Sequence, residues 1–511
     1  VTKSLNIYLI SIITTFFLFA IWIYLKLDLS GDVYYLSYAA GQVLLGKKYG
    51  VDIFETNPPM ILYLYMPVLF FAKKTGFSLL ASFIVYIFSL SLYSILFSWI
   101  LLKKIISNKN VLYFFICIVA FVVILLPLHA FGQREHVFFM LSLPYFFLAV
   151  ARLDKIKISA CLACVIGLLA GLGFCIKPFF LFPLIFIELY LLIKNRSLAS
   201  VIRTEAVIIY AVITSYLATT IYFFPKYFTV LLPLINEFYF IGVKNSVVEI
   251  FTNSIVIFCA IAIAVGFFSL KQKQNKSIKL IMLLASLGAV AASLVTQTVW
   301  YYHMLPALSL AFLLLSFCCF ELVVKYPYND LNYYESFVYY LFSVLLCLIL
   351  FAFPIREFFY VIEYAVTKNE LKSGESYLVD YFSSQPKKSS VMCFSIVITD
   401  CFPLYSKLNM NYGSRYPFFW WLRGVLLVEK EKNIDQKKFL EGRKYLIDVV
   451  SDDLTKNKVD WVIIDNYHFH NFDKNFNYIK YFSENKKFSA AWSKYKFKKQ
   501  IDDYAIYQRQ E

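Results

Sequence analysis

Two acidic residues stand at the outer ends of long apolar runs. Asp32, in Leu29-Ser30-Gly31-Asp32-Val33-Tyr34-Tyr35, follows the first run, and Glu135, in Gln133-Arg134-Glu135-His136, lies between the third and fourth. Ionisable residues at a bilayer edge are costly to keep, and by default they mark function. One such carboxylate can act as general base toward an acceptor hydroxyl or amine. A pair can hold a divalent cation that neutralises a phosphate leaving group. Glu55 and Asp52, in the same loop as Asp32, are further candidates for a base or a metal contact. The plainer alternatives are that Asp32 supports a helix N-terminus and that Glu135 pairs with Arg134. Residue types and spacing leave both open.

The elements that must position these acids follow from composition. The chain has 511 residues, of which 60% are hydrophobic, 20% aromatic and only 16% charged, a balance that excludes an ordinary soluble protein of this length. Its apolar runs are continuous rather than alternating, so they read as helices crossing a hydrocarbon core that takes about 20 residues. Spans are expected near 7–27, 78–102, 111–131, 137–151, 158–176, 178–193, 205–224, 249–270, 280–298, 304–324 and 336–354. The first run has no small-residue cleavage site after it and is read as a retained helix. The net charge of +16 lies largely in short basic clusters between spans, which argues against a nucleic-acid partner and for membrane orientation. Lys103 and Lys104, Arg152 and Lys155, Lys194 and Arg203, Lys271 to Lys279, and Lys325 fall in every second loop, with Lys47, Lys48, Lys73 and Lys74 in the first outer loop as the exception. The positive-inside rule then makes the N-terminus cytoplasmic and puts the loops of Asp32, Glu135, Lys177 and His303, with everything after Pro354, on the outer face.

Between residues 28 and 77 the first outer loop carries two apolar segments at helical spacing, Val33 to Leu45 and Met60 to Phe71, too short to span and suited to lie along the surface. Asn57-Pro58-Pro59 separates them and starts the second. After Pro354 the composition becomes polar and basic. Ser389 to Ile398 reads as a strand, Asp435 to Asn457 as an amphipathic helix and Val459 to Asp465 as a second strand, so a small α/β domain over 355–511 follows a membrane domain over 1–354. Asn411 to Trp421 reads as an exposed loop leading to an aromatic surface, which either touches the acceptor or covers the cavity mouth, or docks against the membrane domain. His468-Phe469-His470 reads as a strand edge. Most of the 10 cysteines lie in or beside apolar runs as small hydrophobes, and Cys161-Leu162-Ala163-Cys164 lacks the second pair that zinc needs. Cys393 and Cys401 fall in the polar region, where an outer location allows a disulfide.

Four stretches carry a resemblance. Gly31-Asp32-Val33-Tyr34-Tyr35 with Phe54-Glu55-Thr56-Asn57-Pro58-Pro59-Met60, the Gln133-Arg134-Glu135-His136 cluster with Leu143-Pro144-Tyr145, Gly171-Leu172-Gly173-Phe174-Cys175-Ile176-Lys177-Pro178, and Trp300-Tyr301-Tyr302-His303-Met304-Leu305-Pro306 occur in one order. That order is similar to the polyprenyl-phosphate-sugar-dependent glycosyltransferases of GT-C fold, a group that includes the aminoarabinose lipid A transferases and the protein O-mannosyltransferases. Asn57 stands where that group has a basic residue. The resemblance implies a polytopic α-helical GT-C-like membrane protein of about eleven helices with an outer C-terminal α/β domain. It also implies an inverting transfer of a hexose or pentose from a polyprenyl phosphate to a lipid, glycan or protein acceptor of the cell envelope. Asp32 and Glu135 would then be catalytic, with an optional divalent metal between them, and Arg134, Lys177 and His303 would bind the donor phosphate. For these three the alternatives are a salt bridge from Arg134 to Glu135, a snorkelling Lys177 and an interfacial His303. His136 and Tyr302 are added candidates. Tyr302, with Tyr34, Tyr35, Trp300 and Tyr301, is placed to stack on sugar or to belong to an aromatic belt.

A multi-pass protein of the inner (plasma) membrane is therefore expected, with the polyprenyl-linked sugar, its acceptor and the membrane as partners. The competing class is a flippase for a lipid-linked sugar. Transporters favour polar groups at the midplane and repeated halves, whereas these spans carry few such groups, and Glu188 and Glu321 fall toward the expected cytoplasmic ends.

Overall fold

A computed structural model of the chain describes residues 2–197, 201–325, 356, 358–364, 366–367, 374–386, 389–398, 401–430, 436–466 and 476–510. Among these, 7 helices are long and apolar enough to cross a membrane: Asn6–Leu27, Leu79–Ile105, Arg134–Leu153, Pro178–Asn195, Thr204–Phe223, Lys276–Thr296 and Tyr301–Glu321. The shorter apolar helices Lys109–Ile124, Ala160–Phe174 and Ser254–Ser269 fall on other expected spans. The expected span 336–354, like His468 and His470, lies outside the described residues. Helices of this length and composition, each closing its own backbone hydrogen bonds, make this a multi-pass membrane protein.

Side-chain caps start several of these helices. The Ser78 hydroxyl accepts from the Ala81 amide at 3.2 Å, Asn108 Oδ1 from Asn110 at 2.9 Å, and Asn253 Oδ1 from Ile255 at 2.9 Å. Each cap satisfies an amide that the first helical turn leaves without a carbonyl. Two expected spans are corrected. The run 111–131 stops being an α-helix at Ile124, shortly before Pro127, which has no amide to continue the ladder, and closes with a short 3-10 turn, Leu128–Ala130, in which Leu128 takes a positive φ of 49°. The run 249–270 breaks at Asn253, which is extended and caps the helix after it.

The chain divides into two compact units. The first comprises Val1–Asp28, Pro67–Ala218 and Asn245–Val366, and the second Leu29–Met66, Thr219–Lys244 and Thr367–Glu511. In the first unit Arg134–Leu153 and Tyr301–Glu321 are buried over most of their length, whereas Thr204–Phe223, which belongs to this unit through Ala218, turns Val207 and Leu217 outward. The Gly-rich helix Ala160–Phe174 packs closely on Arg134–Leu153: a Cβ on Gly173 would stand 3.1 Å from Leu141 Cβ. Charged residues at the helix ends pair with one another. Glu205 takes Arg152 (3.0 and 2.9 Å) and Arg203 (3.0 Å), and Arg203 also reaches Glu188, which accepts from the Tyr145 hydroxyl at 2.5 Å. Lys279 and Asn275 bind Glu321 at 2.9 and 2.7 Å.

In the second unit the helices Gly31–Leu44 and Met60–Thr75 (the latter through Met66) match the two segments expected in the first outer loop. Between the expected spans 205–224 and 249–270 the connecting stretch is itself helical from Tyr227 to Val243, with π-type turns. The small domain holds a 5-stranded sheet in the order β2-β1-β3-β5-β4. Its strands are β1 (Ser390–Phe394), β2 (Asn411–Tyr412), β3 (Trp461–Asp465), β4 (Tyr495–Ile501) and β5 (Tyr504–Arg509). β1 runs parallel to β2 and β3, with Val391 opposite Trp461. β5 runs antiparallel both to β3, with Ile463 opposite Ile506, and to β4, with Ile501 opposite Tyr504. The central strand β3 is buried throughout, while the edge strand β4 shows five exposed residues with three lysines among them, a charged edge that resists further pairing. The helix Gln436–Asn457 follows the expected amphipathic pattern. Cys393 and Cys401 are joined as a disulfide with Cα atoms 6.6 Å apart.

Candidate functional site

Glu135 is the second residue of its helix, Arg134–Leu153, and only 1% of it is exposed. Its Oε1 receives Lys177 Nζ at 2.6 Å, and its Oε2 has no hydrogen-bond partner among the described residues. Glu135 therefore pairs with Lys177 across the helix interface rather than with its chain neighbour Arg134. Lys177 is extended and precedes Pro178, which opens the next helical segment, and the ammonium lies 5.9 Å from the Phe180 ring centre. Lys177 is itself buried, so it does not snorkel to water. A buried ion pair of this kind is held against a desolvation cost of several kcal/mol per ion.

His303, in the first turn of Tyr301–Lys325, joins this cluster. Its Nδ1 lies 2.6 Å from the Thr298 hydroxyl, and both Lys177 and Arg134 act on it electrostatically. Arg134, Lys177 and His303, the residues expected to meet a phosphate, are thus brought together beside Glu135. Tyr302 packs edge-on against His303 with ring centres 4.3 Å apart, and Trp300 lies 5.1 Å from His303. Tyr301 donates to the Leu126 carbonyl and packs against His129. His136 is placed differently. Its Nδ1 accepts from the Gly132 amide at 3.2 Å, and its Nε2 faces the Val123 carbonyl at 2.9 Å. Both ring nitrogens are taken by backbone, and the residue ties Gly132 and the end of the helix Lys109–Ile124 to the helix that carries Glu135.

In the second unit Asp32 is half-buried in the first turn of Gly31–Leu44. The cap itself is Ser30, whose hydroxyl accepts from the Val33 amide at 3.5 Å, so Asp32 is not required as the cap and sits where a helix N-terminus favours negative charge. Tyr34 and Tyr35 are buried, and Tyr35 packs 4.9 Å from Phe402, so Tyr35 is part of an aromatic core. Glu55 is buried too. Its Oε1 accepts from the Asn57 amide (3.1 Å), the Asn57 side chain (2.5 Å) and the Thr56 hydroxyl (3.3 Å). Asn57 is thus the group that orients Glu55. Asp52 accepts from the Lys48 amide at 2.8 Å in an exposed turn.

The stretch Asn411 to Trp421 corrects its reading as an exposed loop. Tyr416, Phe419, Trp420 and Trp421 are buried, with Trp420 and Arg415 engaging Phe54. An isolated aromatic run gives no sign of whether it faces water or a partner segment, and here the partner is more than three hundred residues earlier. Thr298 was also missed, since nothing in its own neighbourhood sets it apart. Among the described residues no group of three or more His, Cys, Asp or Glu is arranged to hold a metal ion, and Cys161 and Cys164 are free thiols. Glu135 has the Lys177 ammonium as its partner.

No family model matches the chain, and no curated protein matches it in sequence. Solved structures do. The crystal structure of ArnT from Cupriavidus metallidurans bound to undecaprenyl phosphate aligns with a TM-score of 0.58 at 8% identity, covering 99% of this chain and 98% of that one. Its apo state aligns over the same shares with a TM-score of 0.55 at 9% identity. The chain therefore has an ArnT-like GT-C fold along its whole length, the fold expected from the four sequence stretches.

Proposed function

We propose that this protein is a membrane glycosyltransferase that takes a sugar from a polyprenyl-phosphate donor and passes it to an acceptor on the outer face of the cell membrane. The observation that carries the reading is the cluster of buried Glu135, Lys177 and Arg134 with half-buried His303 at the end of a span, in a chain whose fold matches ArnT from end to end. Three basic groups held in one place at the edge of the bilayer suit a lipid phosphate, which needs charge-assisted donors where water is scarce.

In the reaction, an acceptor hydroxyl or amine attacks the anomeric carbon while the bond from that carbon to the phosphate oxygen breaks. The bonding pair leaves with the polyprenyl phosphate, and the configuration at the sugar inverts. Asp32 takes the acceptor's proton. Lys177 and Arg134 meet the charge growing on the leaving phosphate, and His303 is set by Thr298 to donate a hydrogen bond to it. Glu135 holds Lys177 in place until the phosphate arrives. Uncovering the gain this way, through donors already oriented, avoids reorganisation during the reaction.

Deleting the gene and analysing envelope glycans and lipids by mass spectrometry tests the reading. One sugar should vanish from a surface glycan, lipid or protein while its polyprenyl-phosphate form accumulates. The wild-type gene should restore it, and Asp32→Asn or Glu135→Gln, made at normal protein levels, should not. Unchanged glycans and lipids, or full rescue by both variants, would overturn it.

A further inference from the structure

The segment that carries Glu55 is gripped by the small domain. Phe54, its neighbour in the chain, donates its amide to the Arg415 carbonyl at 2.9 Å, and its own carbonyl accepts from the Trp420 indole at 3.1 Å. Both polar backbone groups of Phe54 are therefore satisfied by residues more than three hundred positions later. The Phe54 ring is fully buried, edge-on to Tyr416 at 5.1 Å and 5.6 Å from the Arg415 guanidinium. Arg415 is fixed in turn by Asp453, which takes its Nε at 2.7 Å and its amide at 2.8 Å, and by the Val449 carbonyl at 3.1 Å. On the other side of Glu55, Asn57 and Thr56 bind one carboxylate oxygen, and the Tyr49 hydroxyl rests against the carbonyls of Glu55 and Asn57.

A loop that only connected two surface helices would need none of this. A carboxylate is expensive to bury, and this one is held by three donors to a single oxygen in a backbone locked on both sides. Carboxylates so fixed accept hydrogen bonds from neighbouring hydroxyls of a sugar ring with little ordering cost left to meet. We propose that Glu55 contacts the hydroxyls of the transferred or accepting sugar, and that Trp420 and Arg415 are positioning residues through which the small domain sets that carboxylate. The proposal rests on the glycosyltransferase reading and assigns the small domain a part in the transfer step.

The test uses the full-length protein. Trp420→Phe keeps a ring and removes the indole donor, Arg415→Lys keeps the charge and removes the fork, and Glu55→Gln removes the acceptor charge. Sugar transfer is followed as restoration of the missing sugar in the deletion strain. Undecaprenyl phosphate binding is measured on purified protein in nanodiscs, and amide exchange is followed at residues 52–57. Trp420→Phe should speed exchange in that segment and lower transfer about 10- to 100-fold, the range expected from a small misplacement. Undecaprenyl phosphate binding should stay within about twofold of wild type, because the phosphate is held elsewhere. Glu55→Gln should show the same split, and the double variant should be no worse than Glu55→Gln alone. A merely structural role would lower binding and transfer together. Should Trp420→Phe fail to accumulate, Arg415→Lys carries the same expectation. Wild-type transfer in either positioning variant, or losses that multiply in the double variant, would overturn the proposal. A wild-type gene that restores no sugar would instead bring down the glycosyltransferase reading on which it rests.

Discussion

Replacing Lys177 by Met removes the only hydrogen-bond partner that Glu135 has among the described residues, at a site where Glu135 is 1% exposed and the two atoms stand 2.6 Å apart. Breaking a buried pair from one side costs about 3–5 kcal/mol, because the remaining charge is stranded, whereas exchanging both partners for neutral groups is often close to neutral. Lys177→Met should therefore lower the melting temperature of the purified protein clearly, and Glu135→Gln with Lys177→Met should recover most of the loss. Binding should behave otherwise. A hydrogen bond to a charged group contributes about 1.5–3 kcal/mol, which at about 1.4 kcal/mol per decade is about 10- to 150-fold in affinity. Undecaprenyl phosphate titrated into nanodiscs should thus bind about 10- to 150-fold more weakly to both variants, since neither carries the ammonium. If the double variant regains wild-type affinity together with its stability, Lys177 is a structural partner of Glu135 and the phosphate is held by other groups.

His303→Ala should weaken undecaprenyl phosphate binding by about tenfold through loss of one charge-assisted donor, and Thr298→Val should reproduce part of that loss, as read in the same titration. Arg203→Ala strands Glu188 and leaves Glu205 with Arg152 alone, so thermal unfolding should report a loss of about 3–5 kcal/mol with binding of undecaprenyl phosphate unchanged. Cys393→Ser with Cys401→Ser opens a short loop closed by the disulfide, and melting of the small domain should register about 2–3 kcal/mol. Because Phe402 and Tyr405 follow Cys401 and pack on Tyr35 and Tyr38 of the Asp32 helix, the same variant should also slow sugar transfer in the complemented deletion strain.

Much of the scaffold was legible because long apolar runs, polar caps and the compositional change after Pro354 are local signals. The helices Leu79–Ile105, Gly31–Leu44 and Gln436–Asn457 and the strands β1 and β3 all lie close to where those signals put them. Segments between the clear signals were not. Tyr227 to Val243 is apolar but short and holds Pro233, so its pattern does not separate a connector from a helix. The hairpin Tyr495 to Arg509 hides its alternation behind a run of lysines. The positive φ at Leu128 has no residue signature, since Gly or Asn is the usual occupant of that region. In the site, the residue types pointed to Glu135, Lys177 and His303, but the pairing of Glu135 with Lys177 joins residues 42 apart and the Phe54 to Trp420 bond joins residues 366 apart. Only the folded chain chooses among such partners. Nor does the residue type of Asn57 show that it serves Glu55.

The reading is tested most directly by following the donor itself. Lipids extracted from the deletion strain, enriched in the accumulated polyprenyl-phosphate sugar, are reconstituted with purified full-length protein and a membrane extract containing acceptors, and the polyprenyl products are followed by mass spectrometry. The account predicts loss of the sugar-charged lipid, release of free polyprenyl phosphate and appearance of the sugar on an acceptor, with none of these in Glu135→Gln. A donor that stays intact in the presence of active, folded protein, or that only changes leaflet, would contradict it.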